Sequence, residues 1–341
     1  MWLNEKKINK LFLHWLFCTL LLIYLTILIG GLTRLTNSGL SITEWELFKG
    51  VLPPLDNYTW MSYFDQYKKI PQFKILNFEM SLSEFKVIFY WEYVHRIIGR
   101  LIGLFFLFPL ILFYLSKKIK KKYLNICFLI LILIIFQGFV GWYMVKSGLQ
   151  NDITVSHYRL SLHLTTAIFI ISIIFWLIKN VASGQHKIFF EHSNNNLLFQ
   201  ILIFIIFFQV IIGAFVSGLD AGKIYQTWPL MGESYFPNDL LLANYQNFFE
   251  FSNHSLVQFY HRNLAYIIIF YVLFLSLYIF KKKIYHLYKA LIILLLLVIL
   301  QVFLGVFTLV SGLNIYLASA HQFSSVLLIF GALNLYYLKA K

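Results

Sequence analysis

An all-α integral membrane protein, with eight transmembrane helices arranged as two parallel, pseudo-symmetric four-helix bundles, is the fold class the sequence predicts. Three observations carry it. The 341 residues are 60% hydrophobic and only 12% charged, whereas water-soluble domains run near one half apolar and about a quarter charged. Eight runs of roughly 20 mostly apolar residues are present, each long enough to cross a bilayer core. The second half repeats landmarks of the first at fixed spacings. Such a composition excludes a secreted disulfide scaffold, a cytosolic nucleotide enzyme and a disordered basic tail. The net charge of +14 does not point to nucleic acid, because the basic residues sit in short loops.

The first span, 11–33, follows a lysine-bearing start and is too long for a signal-peptide core, so it is read as a retained helix. No Arg- and Ser-rich leader precedes it, which makes a bacterial cytoplasmic membrane the expected location. The remaining spans are 87–115, 123–145, 156–178, 197–217, 256–280, 287–310 and 317–338. Lysines 6, 7 and 10 precede the first span, the cluster from Lys117 to Lys122 follows the second, Lys179 and Lys187 follow the fourth, and Lys281 to Lys283 follow the sixth. Lys339 and Lys341 end the chain. All fall on one side, while Glu44, Glu46, Asp56, Asp220, Glu233 and Asp239 fall on the other. The positive-inside rule then places both termini in the cytoplasm and the long loops 34–86 and 218–255 outside. Cys18 and Cys127 lie in separate apolar runs and offer no loop disulfide.

The duplication sets the domain organisation, 1–180 and 181–341. Gln137, Gly141, Ser147, Gly148 and Leu149 recur at one constant shift as Gln301, Gly305, Ser311, Gly312 and Leu313. Gly39 and Trp45 have the separation of Gly222 and Trp228, and His95-Arg96 matches His261-Arg262. Four spans per half, an even number, give both halves the same orientation.

Four histidines, His95, His163, His261 and His321, occupy spans two, four, six and eight at one depth near the external end, two in each half. Ionisable groups inside spans are costly and are functional candidates. Four residues after each comes a small one, Gly99, Ala167, Ala265 or Ser325, on the same helix face, and Gly103 extends the clearing in span two. A flat macrocycle ligated by histidine needs that space, so the pattern favours bis-histidine haem sites over a proton relay or structural hydrogen bonds. Small residues also serve plain helix packing. His157 enters span four as well, but six residues before His163 it is about 120° out of phase, and His163 is the expected ligand. His14, His186, His192, His254 and His286 read as solvated.

The halves differ at one position. Glu92 precedes His95 by three residues, where Gln258 precedes His261. A general base or electrostatic stabiliser beside a macrocycle is one reading of Glu92; a hydrogen-bonding partner for a helix end or for Arg96 is the other. Arg96, Arg100, Arg159 and Arg262 are candidate contacts for haem propionates, suited to carboxylates, or they snorkel to the interface.

The runs Gly31-Leu-Thr-Arg-Leu-Thr-Asn-Ser-Gly-Leu-Ser41, Phe73-Lys-Ile-Leu-Asn77, Trp91-Glu-Tyr-Val-His-Arg-Ile-Ile-Gly-Arg100 and Gly141-Trp-Tyr-Met-Val-Lys-Ser-Gly-Leu149 resemble the haem A synthase family. So do Ser217-Gly-Leu-Asp-Ala-Gly222 with Met231-Gly-Glu233, and Val257-Gln-Phe-Tyr-His-Arg-Asn-Leu-Ala-Tyr266. The resemblance covers nearly the whole chain. It implies oxidation of one methyl group of haem O to the formyl group of haem A, for cytochrome oxidase assembly. It further implies a substrate site at His95 and His163 with Glu92 catalytic, and a haem b cofactor held by His261 and His321. Some bacterial members carry an external cysteine pair; this chain lacks it and resembles the cysteine-free subtype shared with mitochondria. The expected partners are membrane lipid, haem O synthase as substrate donor, an electron donor, oxidase assembly factors and a second copy of the chain. Two other classes compete: a bis-histidine cytochrome b electron carrier and a histidine-relay transporter. Histidines at one depth disfavour transmembrane electron transfer, and the scarcity of proline inside spans, Pro109 alone, disfavours the broken helices of a carrier.

Overall fold

The computed structural model describes residues 5–45, 49–191, 196–240 and 248–340. Glu46, His192 and Lys341 lie outside the described residues. The chain divides into two compact units, Met1–Ile170 and Ile171–Lys341.

Among the described residues, eight helices are long and apolar enough to cross a membrane, and each coincides with one expected span, those at 156–178 and 287–310 beginning one residue before their helices. They are α1 (Glu5–Leu35), α4 (Leu82–Ser116), α5 (Lys121–Asn151), α6 (His157–Ser183), α7 (Leu197–Gly218), α8 (His254–Lys281), α9 (Tyr288–Val310) and α10 (Ile315–Lys339). Two shorter helices, α2 (Asn57–Tyr67) and α3 (Pro71–Leu76), occupy the long loop between α1 and α4. A search for long apolar runs passes over them, but their local signals are ordinary. The Asp56 carboxylate accepts the Thr59 N–H and caps α2, and Pro71 opens α3, where its missing N–H costs nothing. Trp60, Phe64 and Tyr67 recur on one face of α2 and are buried.

The helix α4 begins five residues before the expected span. Ser81 and Glu84 form a reciprocal capping box, with the Ser81 hydroxyl accepting from the Glu84 N–H and the Glu84 carboxylate accepting from the Ser81 N–H. This start places Phe85 and Phe89 under the loop before α4, where they pack with Trp60, Phe64, Tyr67, Leu40 and Ile42. The loop is thereby a folded cap over the N-terminal end of α4. Inside it, the Tyr67 hydroxyl donates to Gln72 Oε1 at 3.0 Å and accepts from Asn77 Nδ2 at 2.7 Å. Burial and the nearby Glu92 charge, together outweighing the Asn77 hydrogen bond, push the Tyr67 phenol above its ordinary pKa. The α1 helix is clipped to α4 by the Trp15 indole N–H, 3.0 Å from the Phe105 carbonyl.

In the second unit, a smaller cluster of Ile212, Phe215 and Val257 joins α7 to α8 beneath Phe251 and Tyr260. The loop after α7 is held by Asp239, which accepts from the Tyr225 hydroxyl at 2.7 Å and the Ser255 hydroxyl at 2.6 Å. Cys18 and Cys127 are both free thiols, in keeping with the expectation from their spacing.

Candidate functional site

Each unit brings two histidines together. In the first, α4 supplies His95 and α6 supplies His163, with ring centroids 6.4 Å apart and ring planes at 69°. In the second, α8 supplies His261 and α10 supplies His321, again with centroids 6.4 Å apart and planes at 83°. His157, at the start of α6, instead lies against Tyr158, with centroids 4.0 Å apart.

The separation has a chemical meaning. Half of 6.4 Å is 3.2 Å, and subtracting an imidazole ring radius of ~1.2 Å leaves ~2.0 Å, about the length of a metal–imidazole nitrogen bond. In all four rings Nδ1 is buried and lies closer than Nε2 to the glycine of the neighbouring helix, which leaves Nε2 as the nitrogen for a ligand. Among the described residues, no group of three or more His, Cys, Asp or Glu side chains could hold a metal ion. Two facing imidazoles with no third protein ligand suit a metal that brings its own equatorial ligands, which is what haem does. The residues present therefore fit the haem groups expected from the sequence. A Cβ built on Gly99 or Gly103 meets nothing within 4 Å, so the expected clearing exists along α4. Beside His163 it is tighter, because Ala167 is buried.

Glycines on the neighbouring helices let the rings sit where they do. A Cβ on Gly30 of α1 would lie 2.8 Å from His95 Cε1, and one on Gly141 of α5 would lie 2.9 Å from His163 Cε1. The corresponding distances are 2.9 Å from Gly213 of α7 to His261 and 3.1 Å from Gly305 of α9 to His321. Each ring thus packs onto bare backbone. Four residues before three of these glycines stands a glutamine whose side-chain N–H donates to the carbonyl of the histidine opposite. Gln137 reaches His163 at 2.9 Å, Gln209 reaches His261 at 3.1 Å and Gln301 reaches His321 at 3.1 Å. Sequence comparison of the halves singles out Gln137, Gly141, Gln301 and Gly305 only as repeat landmarks. The same four-residue spacing in Gln209 and Gly213 was the available signal, but its purpose shows only once the helices are packed.

Next to these similar cages the charges differ. The Glu92 carboxylate is buried and accepts from the Ser41 hydroxyl at 2.7 Å, the Ile42 N–H at 2.9 Å and Arg96 Nε at 3.0 Å. The Arg96 guanidinium also donates to the Ile42 carbonyl at 3.0 Å and lies over the Trp45 ring. Glu92 therefore pairs with Arg96 and fastens the segment after α1 to α4. In the second unit, Gln258 Nε2 and Arg262 both donate to the Tyr225 carbonyl, at 2.8 and 2.9 Å, and Arg262 reaches the Leu230 carbonyl at 3.1 Å. Arg262 Nε is buried without a partner.

The other two arginines are engaged locally. Arg100 donates to the Gly50 carbonyl at 2.9 Å. Arg159 donates to the Ser147 hydroxyl at 2.6 Å and lies over the Tyr143 ring. With Glu44, Tyr93 and Gly50, Arg96 and Arg100 line a small pocket between α4 and the loop before it.

Comparison with known proteins places this arrangement in a family. The family described as cytochrome oxidase assembly protein matches residues 13–333. The chain is 46% identical over 330 residues to a haem A synthase of Pelagibacter ubique, covering 96% of each chain. It is 41% identical to a haem A synthase of Bartonella bacilliformis, covering 94% of this chain and 88% of the relative. A haem A synthase of Flavobacterium psychrophilum is 38% identical over 331 residues, covering 95% of this chain and 96% of the relative. A multi-pass chain matched over nearly its full length by these enzymes belongs to the haem A synthase family of cytochrome oxidase assembly proteins.

Proposed function

We propose that this membrane enzyme is an oxidoreductase acting on a C–H group, converting the methyl group of substrate haem O to the formyl group of haem A for cytochrome oxidase. His95 and His163 hold the substrate, and His261 and His321 hold a resident haem b. The observation that supports this most strongly is the recurrence of one histidine-pair separation, 6.4 Å, in both units of the chain.

The roles of the chain's own residues follow from their surroundings. His95 and His163 fix the substrate iron and hence the position of the porphyrin rim. Glu92, one helical turn from His95, accepts protons lost from the reacting carbon or stabilises positive charge that develops beside it. Its burial with Arg96, Ser41 and Ile42 keeps the carboxylate in one place, so little reorganisation is needed at the moment of reaction. Arg96, Arg100, Arg159 and Arg262 present cationic groups toward haem propionates. When bound at His261 and His321, haem b supplies one-electron transfer. The enzyme resides in the bacterial cytoplasmic membrane with both termini cytoplasmic, so both histidine pairs lie toward the external face. Haem O synthase supplies the substrate, an external oxidant takes up the electrons removed from the methyl carbon while water or dioxygen supplies the oxygen atom, a separate electron donor serves the resident haem, and assembly factors or a second copy of the chain are further partners.

The test is production of haem A by this chain in a bacterial host whose own haem A synthase is deleted and whose haem O synthase is intact. Extracted haem should contain haem A by mass. Cells that accumulate only haem O while the protein is present in the membrane would contradict the proposal.

A further inference from the structure

The glycine and glutamine partners of the histidines are not equivalent at all four positions. For His163, His261 and His321 the facing helix offers both a bare glycine under the ring and, one turn earlier, a glutamine bonded to the histidine carbonyl. For His95 the glycine is kept as Gly30, but the position one turn earlier is Thr26, whose hydroxyl donates to the Leu22 carbonyl of its own helix at 2.7 Å. The glycine sets how closely a ring approaches. The glutamine ties the ligand's backbone across to the neighbouring helix. We propose that each glycine–glutamine pair is a positioning clamp for the histidine it faces, complete at three ligands and lacking its glutamine at His95, so that His95 is the ligand that yields when haem is exchanged at the first pair.

The asymmetry matches what the two sites must do. This inference rests on the proposed function, in which one pair keeps its haem and the other takes in a substrate and releases a product. A site that turns over needs a ligand that can be withdrawn, and one yielding ligand suffices because haem held on a single axial bond dissociates more readily. The clamp at His163 keeps the opposite side of that site fixed while His95 moves. Gln209, Gln301, Gly213 and Gly305 then act as positioning residues for the resident haem, and Thr26 as the matching determinant of exchange.

The experiment measures haem transfer from the purified protein to excess apomyoglobin, followed by the visible spectrum. Gln209→Thr and Gln301→Thr copy the arrangement at His95 into the second pair. Each should begin with the wild-type content of low-spin haem and lose it about three to ten times faster, the change expected for one lost hydrogen bond. Thr26→Gln should slow release from the first pair after loading with haem O. Gly213→Ala, which puts a Cβ 2.9 Å from the His261 ring, should alter the low-spin electron paramagnetic resonance signal, a readout independent of turnover. Exchange rates at the wild-type value in both glutamine variants, with an unchanged resonance signal in Gly213→Ala, would overturn the clamp. Failure of the underlying haem assignment looks different: bound haem would then survive His261→Ala and His321→Ala.

Discussion

The two histidine pairs share a cage and differ in charge. Both have ring centroids 6.4 Å apart, and all four rings rest on glycine backbone. Next to His95 a carboxylate faces an arginine, while next to His261 a neutral amide and an arginine share the Tyr225 carbonyl. The contrast separates two requirements that are tangled in most active sites. On the proposed function, what is common to the pairs is what ligation needs, and what differs is available for chemistry. It also gives an internal control, since Gln258 beside Arg262 shows that this fold accommodates the amide at the position of Glu92.

The largest effects should come from breaking either pair. His261→Ala or His321→Ala should abolish tightly bound low-spin haem, checked by the visible spectrum of the purified protein, because a bis-histidine site loses an axial ligand. His95→Ala or His163→Ala should abolish haem A formation and leave the resident haem in place. If instead the first pair carries the retained haem, the assignment of the two sites is reversed.

A second effect tests the charges themselves. Glu92→Ala leaves the Arg96 guanidinium, only 12% exposed, without its carboxylate, and stranding one member of a buried pair typically costs about 3–5 kcal/mol. That variant should accumulate poorly, as read by protein level and melting temperature. Glu92→Gln keeps the volume and one accepting oxygen for Arg96 or Ile42, and should accumulate better than Glu92→Ala though below the wild-type level. The reciprocal Gln258→Glu places a carboxylate opposite Arg262 and should be tolerated with the resident haem retained.

A smaller effect concerns the histidine left outside the pairs. His157→Gln should support haem A formation at close to the wild-type level, because the His157 ring lies against Tyr158 and it is His163 that faces His95. Activity abolished by this change, measured by haem extraction, would give His157 a role the ring geometry does not provide.

The smallest effect concerns the two long loops. Burial opposes ionisation of Asp239, but the Ser255 and Tyr225 hydroxyls outweigh it and hold the carboxyl below its ordinary pKa of 3.8. A lowered folded-state value means the stabilisation is complete above the ordinary pKa and lost as pH falls through the lowered one. The first loop has carboxylate anchors of its own: the Thr59 N–H and hydroxyl hold Asp56 below its ordinary value, and the Ser81 N–H and hydroxyl donate to Glu84. Acidification below about pH 4 should therefore loosen both loops to pepsin, and Asp239→Asn should remove the pH dependence of the second loop alone.

The spans were legible because twenty consecutive apolar residues have few alternatives to crossing a membrane, and the histidine pairs because internal duplication exposes any polar residue that recurs at one depth. The loop helices α2 and α3 were not, since their stability comes from burying Trp60, Phe64 and Tyr67 against Phe85 and Phe89 from a distant segment. The engagement of Glu92 was half legible. Arg96 lies one turn away in sequence, but Ser41 and Ile42 reach the carboxylate only through the fold of the first loop. Gly30, with Thr26 in place of the glutamine one turn earlier, carried no recognisable sign at all, because a glycine under a ring is defined by what packs on it.

The most direct test of the division between a reactive and a retaining site is the haem content of Glu92→Gln expressed as the only copy of the enzyme. Glutamine keeps the size of Glu92 and one accepting oxygen, but its amide nitrogen cannot accept from the Ile42 N–H or from Arg96, and it can neither take up a proton as a carboxylate does nor present its negative charge. The account predicts a folded protein that retains haem b, binds haem O, and yields little or no haem A on extraction, with haem O or a hydroxylated intermediate accumulating. Haem A at the wild-type level would contradict it, and would leave Glu92 as a fastening for the first loop and for Arg96.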